Sequence, residues 1–309
     1  MRIHNHWRDL KHKYEKLVVG LGNFDGVHIG HQKLIREVTA LAGQIGGTSS
    51  LITFLPHPMA IIKPDRCPPL LLSQKDKQEM LAALQVEVLL QLTFDHEFAK
   101  ITPEDFIKEI LYEGLGAKGV VVGFNFTFGR FGRGTPDLLA ALAGEYGYEL
   151  VVVPPVKVNQ EAVSSTLIRE TLLAGQVAQA AAYLGYNPFA EGVVVSGDRR
   201  GAGLGYPTAN LDIGENPLIP ANGVYSVLAD FDGQTYQGLA NVGFKPTFNG
   251  GKRIIETHLL DFNRDLYGQE IKIRFLERIR AEKKFSSPEE LVRQIEKDIL
   301  LARGSNVML

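Results

Sequence analysis

The sequence holds one cysteine, Cys67, in 309 residues. That excludes an internal disulfide framework and a cysteine-rich zinc site, and it suits a reducing compartment. Charge of one sign is missing too: 33 basic residues stand against 35 acidic ones, a formal net charge of −2. No overall basic field draws in nucleic acid or anionic membrane, so any phosphate binding must be local. Long apolar runs are absent. The run 86–92 contains Glu87 and is far too short to cross a bilayer. The first residues, Met1 to Lys11, have no apolar core of the kind a signal peptide needs. These absences predict a soluble cytoplasmic protein with no membrane, nucleic-acid or protein partner. His4, His6 and His12 read as an exposed polar leader rather than a metal site.

Hydrophobic residues make up 45% and charged residues 22% of the chain, as in ordinary globular proteins. The length favours two domains. In the first half, strand-like stretches at 16–21, 49–54, 86–94, 119–122 and 148–153 alternate with helix-like ones at 30–42, 74–84, 103–111 and 136–146. That alternation predicts an α/β domain with a parallel sheet covered on both faces. A helix at 176–184 follows, and the pattern changes at Gly185-Tyr186-Asn187-Pro188. Beyond it, strand-like stretches at 191–196, 223–231, 234–242, 254–260 and 270–275 are separated by turn signals such as Asp232-Gly233 and Asn249-Gly250-Gly251. They predict a small antiparallel β-barrel, and Leu291, Ile295 and Ile299 predict a closing helix over 288–302. The domains are placed at 1–185 and 186–309.

The sharpest stretch is Gly22-Asn23-Phe24-Asp25-Gly26-Val27-His28-Ile29-Gly30-His31, between an apolar strand and a helix pattern. Glycines let backbone approach a phosphate, and a helix start points free N–H groups at it. Two histidines three apart can lean over that site and stabilise developing phosphoryl charge. The bland alternative is two surface histidines beside a tight turn. Three later stretches reach the same sheet edge in a parallel α/β fold. Pro56-His57-Pro58 ends the second strand. The run from Gly123 to Gly134, with Asn125, Phe126, Phe128, Arg130 and Arg133, offers rings and cations, or packs its own aromatics as a hairpin-like loop. Ser164-Ser165-Thr166-Leu167-Ile168-Arg169 opens a helix, either as a plain cap or as a second phosphate site.

In the second half, Gly197-Asp198-Arg199-Arg200-Gly201-Ala202-Gly203-Leu204-Gly205-Tyr206-Pro207-Thr208-Ala209-Asn210 mixes glycines and arginines in the manner of a polyphosphate flap. Thr208 and Asn210 end it with hard oxygen ligands suited to magnesium. Glu256 lies in a strand-like stretch with His258 on its face and Ile255 and Thr257 on the other. It reads as a surface, paired or basic carboxylate.

The His-x-Gly-His stretch resembles the signature of nucleotidyltransferases that move an adenylyl group from ATP. The longer string, with Pro-His-Pro, Phe-Asn-Phe-x-Phe-Gly and Ser-Ser-Thr-x-x-Arg in the same order, looks most like the bacterial bifunctional riboflavin kinase/FMN adenylyltransferase family, often called FAD synthetase. Leu204-Gly205-Tyr206-Pro207-Thr208-Ala209-Asn210, Gly223-Val224-Tyr225, Glu256-x-His258-x-x-Asp261-Phe262 and the Arg280–Phe285 segment are similar to its kinase module. The likeness runs from about Lys16 to Arg303.

The resemblance implies a Rossmann-like domain joined to a six-stranded barrel with a closing helix. It implies riboflavin phosphorylation to FMN in the barrel and FMN adenylylation to FAD in the first domain, with ATP as co-substrate and Mg2+. By it, His28 and His31 attend the ATP phosphates. Gly22, Phe24, Asp25, Gly30, His57, Asn125, Phe128, Ser164, Thr166 and Arg169 line the nucleotide and flavin site. Glu256 is the base for the ribityl hydroxyl, and Thr208 and Asn210 serve magnesium. Gly197, Arg199, Arg200, Gly205, Pro207, Arg280 and Phe285 complete the kinase site. The family's flap commonly has an arginine where this chain has Ala202, which leaves Arg199 or Arg200 to supply the charge. Two rivals remain at this point. An adenylyltransferase for another phosphate would have no use for the barrel, and a flavin-sensing regulator would not need His28, His31 and Glu256.

Overall fold

The structure is a computed structural model; it describes residues 1–10, 12–197, 203–214, 217–245 and 252–304. It divides into two compact units, Met1–Ser164 and Ser165–Leu309.

The first unit is built on a six-stranded sheet in the order β1-β4-β3-β2-β5-β6. The strands are β1 (Arg2–His4), β2 (Leu17–Leu21), β3 (Thr48–Leu55), β4 (Val88–Thr93), β5 (Gly119–Gly123) and β6 (Glu149–Val153), all paired in parallel. Every residue of β2 is buried, as expected of a central parallel strand covered on both faces. Helix α1 (Ile29–Ile45) packs on it so closely that a methyl on Gly20 would sit 2.8 Å from Val38. The other helices are α2 (Pro58–Ile62), α3 (Gln74–Ala83), α4 (Pro103–Asp105) and α5 (Pro136–Tyr146). The core runs from Leu17, Val19 and Leu21 through Ile52 and Leu90 to Phe106, Ile110 and Val120.

Three features depart from the sequence reading. The polar leader is not wholly exposed solvent-side chain: Arg2–His4 adds an edge strand to β4, and His4 Nε2 lies 2.9 Å from the Tyr14 hydroxyl. Residues 103–111 are not one α-helix, because α4 runs on as a π-helical stretch, Phe106–Gly114, that buries Phe106, Ile107, Ile110 and Leu111. A short hairpin, β7 (Lys157–Val158) with β8 (Glu161–Ala162), follows β6. Its partners are two residues long, below what a periodic pattern can signal.

The second unit opens with α6 (Ser165–Leu173) and α7 (Val177–Leu184). A closed six-stranded antiparallel barrel follows, in the order β10-β13-β12-β11-β14-β9. Its strands are β9 (Phe189–Val195), β10 (Ala209–Asp212), β11 (Gly223–Phe231), β12 (Gln234–Lys245), β13 (Lys252–Leu259) and β14 (Glu270–Arg280). Ile255, Thr257, Val242, Ala240, Ile273 and Phe275 fill the interior. Helix α8 (Pro288–Gly304) closes the chain, with Ile299 and Ala302 against Val224 and Leu239 on the barrel's outer wall. α7 packs on β14, so both α6 and α7 fall with the barrel unit.

Candidate active sites

Between β2 and α1 the chain makes a turn that ordinary residues resist. Phe24 and Val27 have φ of 50° and 35°, and Gly26 has 82°. The two non-glycine residues hold this left-handed backbone with fully buried side chains. His28 then caps α1 through its ring: Nδ1 accepts the His31 N–H at 3.3 Å. An accepting Nδ1 leaves the proton of the neutral ring on Nε2. The two imidazoles stack, centroids 3.6 Å apart and 17° from parallel, and Phe24 meets His31 edge-on at 5.4 Å. Burial, then the neighbouring His28, then Lys77, hold the His31 pKa well below its ordinary value. His31 is therefore a neutral ring at physiological pH, and its Nδ1 is buried without a hydrogen-bond partner.

Other expected residues gather around this turn. His57 caps α2, and its Nε2 lies 3.3 Å from Asn23 Nδ2. The buried Asp25 accepts the Leu71 N–H at 2.9 Å. Asn125 is exposed beyond the end of β5. The aromatic loop divides between its two readings. Phe128 is buried against Phe106 and stacks on Phe126, and Phe128 bridges to Gly134, which packs the loop on itself. Phe131 is instead 79% exposed, with the Arg130 and Arg133 guanidiniums 4.9 and 5.9 Å from its ring. Phe24 and Phe128, both buried, thus support the turn and the loop from beneath. Ser164 ends the first unit; Thr166, exposed, and Arg169, buried, belong to α6 of the second.

In the barrel, strand register brings three polar residues into one row. Asn210 on β10 stands opposite Glu256 on β13, which stands opposite Asn241 on β12. Directly opposed residues share a face about 5 Å apart, and here it is the outer one, since Ile255 and Thr257 are wholly buried inside. Gly197 lies against Asn210: a methyl built there would sit 2.2 Å from Asn210 Nδ2 and 2.7 Å from its Oδ1. Pro207, just before Thr208, is held by His258, whose Nδ1 is 2.8 Å from the Pro207 carbonyl, with the Tyr206 ring edge-on to His258 at 5.5 Å. Gly205, at φ 87°, makes the bend before them. Arg199, Arg200 and Ala202 lie outside the described residues.

Two models of known families match the chain: FAD synthetase over residues 10–167 and riboflavin kinase over residues 184–305. The bifunctional riboflavin kinase/FMN adenylyltransferase of Bacillus subtilis is 39% identical over 297 residues, covering 94% of this chain and 92% of that protein. The Escherichia coli K12 enzyme of the same name is 35% identical, covering 94% and 92%. This chain belongs to the bifunctional riboflavin kinase/FMN adenylyltransferase family. It is a kinase and a nucleotidyltransferase of flavin cofactor biosynthesis, with riboflavin, FMN and ATP as the small molecules its family implies.

A crystal structure from Streptococcus pneumoniae, described as a macrolide-efflux protein, matches with a TM-score of 0.89 and 33% identity over 99% of both chains. The likeness to it is one of fold. Among the described residues here, no helix is long and apolar enough to cross a membrane.

Arg280, expected in the kinase site, is tied here to the closing helix. Its guanidinium is taken up by Asp298 of α8, at 2.8 to 3.1 Å from three nitrogen–oxygen pairs, and it lies 5.6 Å from the Phe285 ring. The bridge fastens the closing helix to β14. Sequence reasoning missed Asn241 and Lys77. Asn241 sits in a plain Ala-Asn-Val-Gly run whose importance comes only from register with Glu256. Lys77 reaches the Asn23 carbonyl at 3.5 Å from a helix 54 residues away. A hollow of about 320 Å³ lined by Trp7, Arg8, His12, Glu109, Glu113 and Gly114 contains none of the motif residues.

Proposed function

We propose that His28 and His31 serve adenylyl transfer and that Glu256 serves phosphoryl transfer. The observation that carries the first assignment is the stacked, capped histidine pair at the start of α1. In this reading an FMN phosphate oxygen attacks the α-phosphorus of ATP and pyrophosphate leaves. His28, with its Nε2 proton, and neutral His31 donate to phosphate oxygens as negative charge develops. The strained turn keeps these groups in place before substrate arrives. His57 and Asn23 stand beside the end of β3, where the flavin phosphate would be received.

The row Asn210–Glu256–Asn241 supports the second assignment. The ribityl 5′-hydroxyl attacks the γ-phosphorus, ADP leaves, and Glu256 takes the hydroxyl proton. Among the described residues no three of His, Cys, Asp and Glu converge to hold a metal alone. The hydroxyl of Thr208 and the amide oxygen of Asn210 are hard donors that fit Mg2+ shared with nucleotide phosphates. When bound, that ion neutralises phosphate charge. Thr208 and Asn210 would hold it, and Gly197, with no side chain, leaves the Asn210 amide its place. The functional boundary is set near residue 185, and a cytoplasmic setting suits the free thiol of Cys67.

A pair of variants tests both assignments in one tube of riboflavin and Mg-ATP. His31→Ala leaves phosphorylation intact and slows FAD formation about a hundredfold or more, so product accumulates as FMN. Glu256→Gln slows FMN formation by roughly a hundred- to ten-thousand-fold and still converts supplied FMN to FAD. A folded His31→Ala protein with undiminished FAD synthesis refutes the first assignment. Normal FMN formation by Glu256→Gln refutes the second.

A further inference from the structure

We propose that Lys77 is a further substrate-binding residue of the adenylyl-transfer site, its ammonium gripping the ATP triphosphate at the end that departs as pyrophosphate. The proposal rests on the assignment of that site to the Gly22–His31 turn.

The geometry begins with α3. Ser73 caps the helix by accepting the Asp76 N–H, in the turn that carries Lys77. From there Lys77 extends its Nζ to 3.5 Å from the Asn23 carbonyl, inside the turn itself. That bond is long for an ammonium, which has three hydrogens to place. The Lys77 charge helps to lower the His31 pKa, and Asp25 raises that of Lys77. Asp25 is 5% exposed and fixed by the Leu71 N–H.

Chemistry supplies the need. When the α-phosphorus is attacked, negative charge moves onto the departing pyrophosphate, and full charges stabilise it best. The histidines cannot provide one: two rings 3.6 Å apart resist double protonation, and His31 is neutral. The helix start contributes only about half a unit charge. Lys77 brings a whole one to the same turn.

Energetics points the same way. Burial lowers the Lys77 pKa from its ordinary value and Asp25 raises it again. Lys77 is half-buried, so its charge is held partly out of water at this turn. A cost of that kind at a phosphate-receiving turn is accounted for by a bound polyanion, which would stabilise the charged lysine.

The experiment uses the full chain with Lys77→Met, which keeps the length and fills the space, and Lys77→Arg, which keeps the charge. FAD formation from FMN and ATP is measured with pyrophosphate as product inhibitor, alongside FMN binding by flavin fluorescence. Expected for Lys77→Met are a kcat lowered about a hundredfold, pyrophosphate inhibition weakened about tenfold, and unchanged FMN binding. Lys77→Arg recovers most of the rate and the inhibition. Phosphorylation of riboflavin, measured in the same samples, stays at the parent level. A Lys77→Met protein that keeps both kcat and pyrophosphate inhibition overturns the proposal. So does a protein that loses FMN and pyrophosphate binding together without rescue by arginine, since that is a packing role. The His31→Ala protein separates the two layers. If it makes FAD normally, the site assignment itself is wrong. If it fails while Lys77→Met works, only the role of Lys77 falls.

Discussion

Gly197→Ala should disable one half of this enzyme and spare the other. The added methyl would lie 2.2 Å from Asn210 Nδ2, 2.5 Å from Cγ and 2.7 Å from Oδ1. Carbon contacts settle near 3.5 Å or more, so the amide must retreat by more than about 1 Å. Asn210 has little room to do so: it is 9% exposed, and its backbone is paired with both Val195 and Glu256. The side chain therefore rotates, and its oxygen leaves the row it shares with Glu256. A misplacement of about 1 Å at a positioned group costs on the order of a hundredfold in rate, or about 2.7 kcal/mol of barrier. The fold survives, because the clash is with a side-chain tip and not with backbone. The assay follows riboflavin to FMN, and separately FMN to FAD, both with Mg-ATP. FMN formation should fall about a hundredfold while FAD formation from supplied FMN is unchanged. A Gly197→Ala protein with parental kinase activity would refute the view that the Asn210 amide must be held where it is.

Other consequences concern pH and autonomy. The buried Tyr148 phenol donates to the Leu139 carbonyl at 2.6 Å, and burial raises its pKa to about 12. The unfolded chain loses that proton first, near 10, so stability is full below pH 10 and declines between 10 and about 12; urea unfolding with phenolate absorbance measures this. His31 has the opposite sign. Its lowered pKa means the unfolded chain takes up a proton first as pH falls below 6.5, so the first unit loses stability on the acid side. Ring-carbon NMR signals of His31 should still be those of a neutral imidazole at that pH. A fragment from Ser165 should fold as a more stable kinase than one from Asn187, because the shorter one lacks the α7 packing on β14. Equal unfolding midpoints would show that this packing contributes nothing.

Much of this molecule was legible in the residue order because its signals are local. The buried run Leu17–Leu21, the turn residues and the start of α1 follow one another directly. Short strand-like stretches separated by turn signals such as Asp232-Gly233 marked the barrel in the same way, and the register later placed Glu256 beside Asn210. What escaped was set by contacts between distant segments. A three-residue edge strand at Arg2–His4 exists because β4 offers it a partner, not because its own pattern demands extension. The π-helical stretch adds a residue per turn with no mark in composition. The partner of Arg280, Asp298, lies 18 residues on in the last helix, and nothing in the sequence pairs the two. Lys77 looked like any lysine of an exposed helix for the same reason.

The turn at Phe24 and Val27 bears on how this sequence can change through descent. Left-handed backbone costs a non-glycine residue about 1–2 kcal/mol, and each of these side chains returns about 1.5–3 kcal/mol by being fully buried. The two terms nearly balance. Glycine at either position would relax the backbone and empty the core beneath it; a polar residue would keep the strain and lose the anchor. A different apolar residue would have to fit beside His31, which the Phe24 ring already touches. Inheritance through this segment is thus narrow on every side, and the narrowness comes from packing under the turn before any substrate has imposed a demand of its own.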